Sequence, residues 1–300
     1  MSILVDGKTK VVIQGITGTQ GRVEALICRK YGTNVVAGVT PGRGGEDVEG
    51  IPVYDTVAEA VERHGAEASL LFVPPLLTRD AVLETLDAGI RTLVATAEGV
   101  PEHDVLKAVS AARKANARLV GFNTNGIISP GKARLGGLGG LDPAEIYFPG
   151  RIGVCSRSGG MCAEISLALN RGGYGCSTVV AMGGDRVTGL PMVEYVKLFE
   201  ADPETDAIVL FGEPGTDNES GVAAHLARNG VTKPVVTLIV GYFQESYPEG
   251  VSFGHAAAMI SRPDESPSGK RSALQKAGVR VASTLEEIPA LLNEALQSQP

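Results

Sequence analysis

VVIQGITGTQG, residues 11–21, reads as a strand that turns sharply into a helix. The β-branched run Val11 to Ile13 gives way to Gly15, Gly18 and Gly21, three positions apart. Glycine lets a backbone approach an anion closely, and a helix that starts there offers unpaired amides at its positive end. The segment is therefore a candidate phosphate cradle. The plainer alternative is that the glycines only permit a tight turn.

Outward from this turn the same rhythm continues. Short apolar runs at 35–39, 70–73, 92–95 and 119–120 alternate with helical stretches at 24–31, 57–64, 79–88 and 104–115. Thr56 with Glu59 has the spacing of a capping box. A glycine- and proline-rich passage over 125–150 interrupts the rhythm, which restarts at 152–155. Further strands are expected at 178–181, 207–211, 235–240 and 279–281, and helices at 161–169, 192–200, 219–227 and 268–276. Thr284 and Glu287 suggest a second capping box, before the terminal helix. Strands alternating with helices predict parallel, doubly wound sheets, so the expected fold is α/β in two units.

Composition narrows the classes. With 300 residues and 43% hydrophobic content, the chain can bury sizeable cores. No apolar run has the length of a membrane span, and the start MSILVDGKTKVVIQG lacks the order of a secretory signal. The four cysteines, Cys28, Cys155, Cys162 and Cys176, have no zinc-like spacing and suit a reducing, cytoplasmic setting. A formal charge of −7 argues against a general nucleic-acid binder. We expect no nucleic-acid partner, no membrane partner and no resident metal.

A dinucleotide is the obvious ligand for the first turn, but an acid on the second strand to hold the ribose is lacking. That strand runs instead into TPGRGG, where Arg43 is either a phosphate contact or a solvated loop charge. Glu46 and Asp47 keep a ribose contact open. Pro74 and Pro75, Glu98, and Asn123 with Thr124 and Asn125 follow successive strands, where crevice-lining residues of such sheets lie.

The second unit opens with SRSGGM after a strand. Ser156 and Ser158 carry hydroxyls, Gly159 and Gly160 expose amides at a helix start, and Arg157 either neutralises an anion or supports the turn. Helix capping by the serines is the competing explanation. Glu213 and Asp185 end neighbouring strands. Of the four histidines, His64, His103 and His225 have structural or solvated contexts. His255, in FGHAAAMI, is followed by small residues that leave room around its ring. Near a carboxylate and phosphate donors its imidazole can act as a nucleophile; packed in apolar surroundings it would be inert. No P-loop lysine motif is present.

This ordered set resembles the α-subunit of succinyl-CoA synthetase and the corresponding module of ATP-citrate lyase. The resemblance runs from GITGTQG and GVTPGRGG through EGVP, NGIISPG, SRSGG, GGD and ADPETDAIVLFGE to FGHAAA. It implies a Rossmann-like CoA-binding domain over residues 1–130 and a flavodoxin-like ligase domain over 150–300. His255 matches the family's phosphorylated histidine, and Glu213 its associated glutamate. Gly15, Thr17, Gly18, Thr19, Gly21, Arg43, Pro74, Glu98, Asn123 and Thr124 fall on the CoA groove. Ser156, Arg157, Ser158, Gly159 and Gly160 fall on the phosphate-binding helix entrance. Arg43 replaces a common lysine and Thr124 a common cysteine, so a thiol role does not transfer to position 124.

The resemblance also implies a β-subunit with an ATP-grasp domain, bringing ATP or GTP and Mg²⁺, in a hetero-oligomer. Succinate is the leading acid. SRSGGM and AMGGDR are more similar to the citrate-using branch, and Arg186 can accommodate an extra carboxylate, so citrate and malate stay open. A CoA-responsive regulatory protein without ligase activity and a nicotinamide-dependent oxidoreductase are the alternatives from other classes.

Overall fold

The computed structural model describes residues 2–251 and 257–298. The first unit comprises β1 (Lys10–Gln14), α1 (Thr19–Tyr31), β2 (Asn34–Val39), β3 (Asp47–Val48), β4 (Ile51–Tyr54), α2 (Val57–His64), β5 (Ala68–Leu71), α3 (Pro75–Asp87), β6 (Thr92–Ala95), α4 (Glu102–Lys114) and β7 (Arg118–Gly121). Its sheet runs β3-β4-β2-β1-β5-β6-β7, with only β3 antiparallel to its neighbour. Without β3 this is the doubly wound order whose direction reverses between β1 and β5. The central strands are mostly apolar, as expected where helices cover both faces; β5 is buried at every position, and its Ser69 is satisfied by the buried Gln14 amide of β1 (2.9 Å).

Helices begin earlier than their apolar periodicity suggests. α1 starts at Thr19 rather than Glu24, and α3 at Pro75 rather than Arg79. Each first turn faces a groove, so it carries glycine, proline or polar residues that hide the helical pattern. Thr56 caps α2 by accepting from the Glu59 amide (3.3 Å), which contributes about 1 kcal/mol, but Glu59 reaches back to the Asp55 amide (3.2 Å), one residue beyond the expected box. The box expected at Thr284 does not form, because the last helix starts at Glu287 with Glu286 as its cap residue.

The second unit comprises β8 (Gly126–Ser129), β9 (Ala133–Leu135), β10 (Pro149–Ser156), α5 (Gly159–Arg171), β11 (Cys176–Ala181), α6 (Met192–Ala201), β12 (Ala207–Gly212), α7 (Asn218–Asn229), β13 (Val235–Ile239), α8 (Pro267–Lys276), β14 (Arg280–Ala282) and α9 (Glu287–Gln297). Its sheet runs β14-β13-β12-β10-β11-β8-β9, parallel except at β8 and β9. The parallel part has the flavodoxin-like order, reversing between β10 and β12.

The two units are joined by more than a linker. The β8–β9 hairpin pairs with the second sheet yet packs on α1. Arg134, fully buried on β9, pairs with Glu24 on α1 (2.9 Å) and donates to the Leu138 carbonyl (2.7 Å). Thr33 and Arg134 exchange two further bonds of 2.8 and 2.9 Å, and Ser129 donates to the Val5 carbonyl (2.9 Å). On the other side, the passage after β11 runs along the end of β7. There the Gly184, Gly189 and Leu190 amides donate to the Asn123, Gly121 and Leu119 carbonyls.

Candidate functional site

The first turn closes tightly. Gly15 has φ +74°, and a Cβ there would sit 2.3 Å from the Phe72 carbonyl oxygen. A Cβ at Gly21 would sit 2.2 Å from the Gly15 carbonyl oxygen, so that position too admits only glycine. Gly18 precedes α1 and supplies no side-chain cap, which leaves the first-turn amides facing outward. In front of them lies a cavity of about 600 Å³. Its walls are Gly18 to Gly21, Phe72 to Pro75, Thr96 to Glu98, Asn123 to Asn125 and Gly137. All these segments except Gly137 follow the carboxyl ends of β1, β5, β6 and β7 or open the next helix.

Gly18, Thr19, Gly21, Pro74, Glu98, Asn123 and Thr124 thus meet in one groove, with Gly15 beneath it as the turn that shapes it. Thr17 lies beside it, donating to the Thr40 hydroxyl (3.1 Å) and tying the turn to the loop after β2. Arg43 stands outside the wall, on the exposed loop after β2, where Glu46 holds its guanidinium (Nη2 to Oε2, 2.8 Å). Thr124 is buried, bonded to the Ala181 carbonyl and to the Gly126 amide, so its hydroxyl serves the seam.

The second turn is built differently. Ser156 donates to the Ser158 carbonyl (2.6 Å) and accepts from the Ser158 amide (3.1 Å), while Ser158 caps α5 through the Met161 amide (3.5 Å). Both hydroxyls therefore shape the turn. Gly159 lies where a Cβ would meet the Asn125 side chain at 2.4 Å, and Gly160 is exposed. The two glycine turns consequently face a common seam, with Asn125 between them.

Arg157 is the hinge of the second turn. Its side chain is fully buried and donates to Glu213 (3.1 Å), the Thr216 hydroxyl (2.9 Å) and the Gly184 carbonyl (3.2 Å). It braces the Glu213 loop rather than lying open to an incoming anion. Thr216 holds φ +56°, unusual for a β-branched residue. Asp185 accepts from Asn123 (3.1 Å) across the seam. Burial raises its pKa above the ordinary value, opposed by the Asn123 bond.

Arg186 lines a separate cavity of about 220 Å³ with Thr216, Asp217, Ala257, Met259, Ser261, Arg262 and Glu265. Arg262 pairs with Glu265 (3.1 Å), whereas Arg186 has no hydrogen bond or ion pair among the described residues. His255 lies outside the described residues. The other histidines have the contexts expected of them: His64 bonds Tyr54 (2.7 Å), His225 bonds Glu200 (3.0 Å) and His103 is exposed. No cluster able to hold a metal ion occurs among the described residues, and no helix there is long and apolar enough to cross a membrane.

Sequence reasoning missed Lys270 and Glu219, both fully buried and bonded to each other behind the Glu213 loop. A lysine in the polar-looking run SGKRSALQK gives no sign of burial. It also missed the role of Asn125 between the turns, which only the meeting of two sheets creates.

Two families match the chain: the CoA binding domain over residues 6–99 and the succinyl-CoA ligase like flavodoxin domain over residues 149–293. The chain is thus built from an N-terminal CoA-binding domain and a C-terminal flavodoxin-like ligase domain. It is 47% identical to the succinate–CoA ligase [ADP-forming] subunit alpha 2 of Archaeoglobus fulgidus, over 99% of this chain and all of that one. It is 41% identical to the ADP-forming sulfoacetate–CoA ligase subunit SauD of Bilophila wadsworthia, again over 99% of this chain and all of that one. Among solved structures, ATP citrate lyase from Methanothrix soehngenii in complex with citrate and coenzyme A superposes with a TM-score of 0.89 at 27% identity. That match covers 98% of this chain and 50% of the lyase, so this chain spans half the length of that protein. The chain belongs to the succinate–CoA ligase alpha-subunit family, within the superfamily that includes ATP-citrate lyase. As an alpha subunit of the nucleoside-diphosphate-forming acid–CoA ligases, it implies a partner subunit for catalysis.

Proposed function

We propose that the chain forms an acyl-CoA from a small carboxylic acid, CoA and ATP or GTP, with His255 as a transient phosphoryl carrier. Residues 1–130 supply the CoA groove and residues 150–300 the ligase chemistry. The observation that carries this reading is the junction of two glycine turns across one seam, with Glu213 held at the end of β12 by Arg157. The groove fits CoA: uncapped amides of α1 suit a phosphate, and the Gly15 and Gly21 contacts leave no room for a side chain beneath it. When bound, CoA supplies the thiol that accepts the acyl group.

The chain's own residues do the positioning. Glu213 is the group that orients the imidazole and favours its positive character. The amides of Gly159 and Gly160, at the start of α5, receive phosphoryl oxygens. The nucleotide and Mg²⁺ sit chiefly on an ATP-grasp-containing β-subunit. This agrees with the absence of a P-loop lysine motif from the sequence, and makes the working enzyme a hetero-oligomer.

Succinate is the proposed acid. The guanidinium of Arg186, which has no partner among the described residues, lines the cavity beside Thr216 and supports recognition of a second anionic group. Sulfoacetate, malate and citrate carry such a group as well. A cytoplasmic location is part of the reading, supported by four buried cysteines that all remain thiols.

The test is reconstitution with the native β-subunit and an acid panel, followed by intact-protein mass spectrometry. Acid-labile phosphate is expected on the wild type and not on His255→Ala, together with acid-dependent consumption of CoA. Equal labelling of the variant sinks the carrier role. CoA binding without any acid-dependent turnover would point instead to a regulatory protein.

A further inference from the structure

Behind the Glu213 loop lies an ion pair that the proposed chemistry does not use. Lys270 on α8 and Glu219 on α7 are each completely buried. The Lys270 ammonium has three protons, and each has an acceptor: the Glu213 carbonyl (2.7 Å), the Gly215 carbonyl (2.5 Å) and the Glu219 carboxylate (2.5 Å). The other Glu219 oxygen accepts from the Glu213 amide (3.3 Å). Both main-chain polar groups of residue 213 are therefore held by one buried pair.

The flanking glycines make this grip possible. A Cβ at Gly212 would meet a Glu219 carboxylate oxygen at 2.3 Å, and one at Gly215 would meet the Ala257 carbonyl at 1.9 Å. The Gly215 amide also donates to the Glu265 carbonyl (3.0 Å), just ahead of α8. Breaking a buried pair is costly, but exchanging it whole for apolar side chains of similar size is often neutral or stabilising. Stability alone thus gives weak reason for charges here. What an apolar pair cannot do is fix the N–H and the C=O of one residue simultaneously.

We infer that Lys270 and Glu219 are positioning residues that set the main chain of Glu213, and so the placing of its carboxylate against Arg157. This rests on the role proposed above for Glu213, and the experiment separates the two. Turnover of the complex reconstituted with the β-subunit is measured for wild type, Glu213→Gln, the charge-free pair Lys270→Met with Glu219→Met, and all three changes together. If Glu213→Gln turns over like wild type, the role of Glu213 itself fails.

Where Glu213→Gln is slow, the charge-free pair is expected to lower kcat about tenfold to hundredfold, with KM for CoA within about twofold. Added to Glu213→Gln, it should cost less than about twofold more, because both changes remove one interaction. Equal losses in both backgrounds, or an unchanged kcat in the charge-free pair, overturn the inference. Hydrogen exchange on the full-length Lys270→Gln chain gives a reading independent of turnover. Amides of residues 213–217 should exchange at least about tenfold faster while those of residues 15–21 keep their rates. No change, or uniform acceleration, counts against positioning.

Discussion

Replacing Arg157 by methionine keeps most of the side-chain volume and removes the guanidinium. Glu213, 6% exposed, then stays in place without the cation that faces it at 3.1 Å. The carbonyls of Gly184 and Asp185 lose a donor at 3.2 and 3.4 Å, and the Thr216 hydroxyl loses one at 2.9 Å. Removing one partner of a buried ion pair costs about 3–5 kcal/mol. The neighbouring bonds are not independent of it, so their losses do not simply add. For a unit of this size each kcal/mol moves the melting midpoint by about 2–4 °C, which puts the expected drop at about 6–20 °C. Differential scanning calorimetry of the isolated chain at pH 7 measures it. Arg157→Lys should recover only part, since a point charge cannot serve separate acceptors as a planar fork does. Arg157→Met with Glu213→Leu should recover most of it, because the carboxylate that faced the guanidinium is removed with it. A single variant that melts within about 2 °C of wild type would refute the reasoning, as would a double variant no better than Arg157→Met.

Gly21→Ala pushes a methyl into the Gly15 carbonyl and should weaken CoA binding about tenfold to a hundredfold by calorimetry, with the circular dichroism spectrum unchanged. Asp185 has a folded-state pKa raised by burial, so its ionised form opposes folding at neutral pH. Asp185→Asn should therefore raise the melting midpoint at pH 7. The advantage should shrink as pH falls through the raised value and vanish below the ordinary 3.8, which a pH series of melts would reveal. Burial pushes the Cys162 and Cys176 thiols up to about 12 and raises Cys28 and Cys155 as well. Iodoacetamide at pH 8 should leave the native chain unmodified and add four groups after denaturation, counted by mass spectrometry.

The parallel strands other than β4, which the sequence reading passed over, were legible because their local signal and their environment agree. Runs such as Val11–Ile13 and Ala207–Phe211 are apolar at every position, which is what a sheet covered on both faces requires. The short strands β3 and β9 were not legible. Asp47–Val48 is a two-residue edge pairing, and β9 contains Arg134, whose charge reads as surface until Glu24 is brought beside it. At the candidate site, residues that ride directly on strand ends could be named from spacing, because topology alone delivers them there. Ser156 and Arg157 show the limit. Their position followed from the sequence, but whether they face a ligand or brace a loop depends on partners at Ser158, Glu213 and Thr216. Lys270 was missed for the same reason: two of its three acceptors are backbone carbonyls, which leave no mark on residue identity, and the third, Glu219, lies 51 residues away in sequence.

The hairpin that pairs with one sheet while gripping a helix of the other bears on how such ligases can be recombined. A chimera spliced where the first sheet ends, between Gly121 and Gly126, would import a foreign Arg134 against the host's Glu24, Cys28 and Thr33. Mismatched, that arginine would be a stranded cation sealed beneath the junction. Swapping halves between relatives therefore calls for co-transplanting those three helix-side residues, or for choosing donors that already match at them.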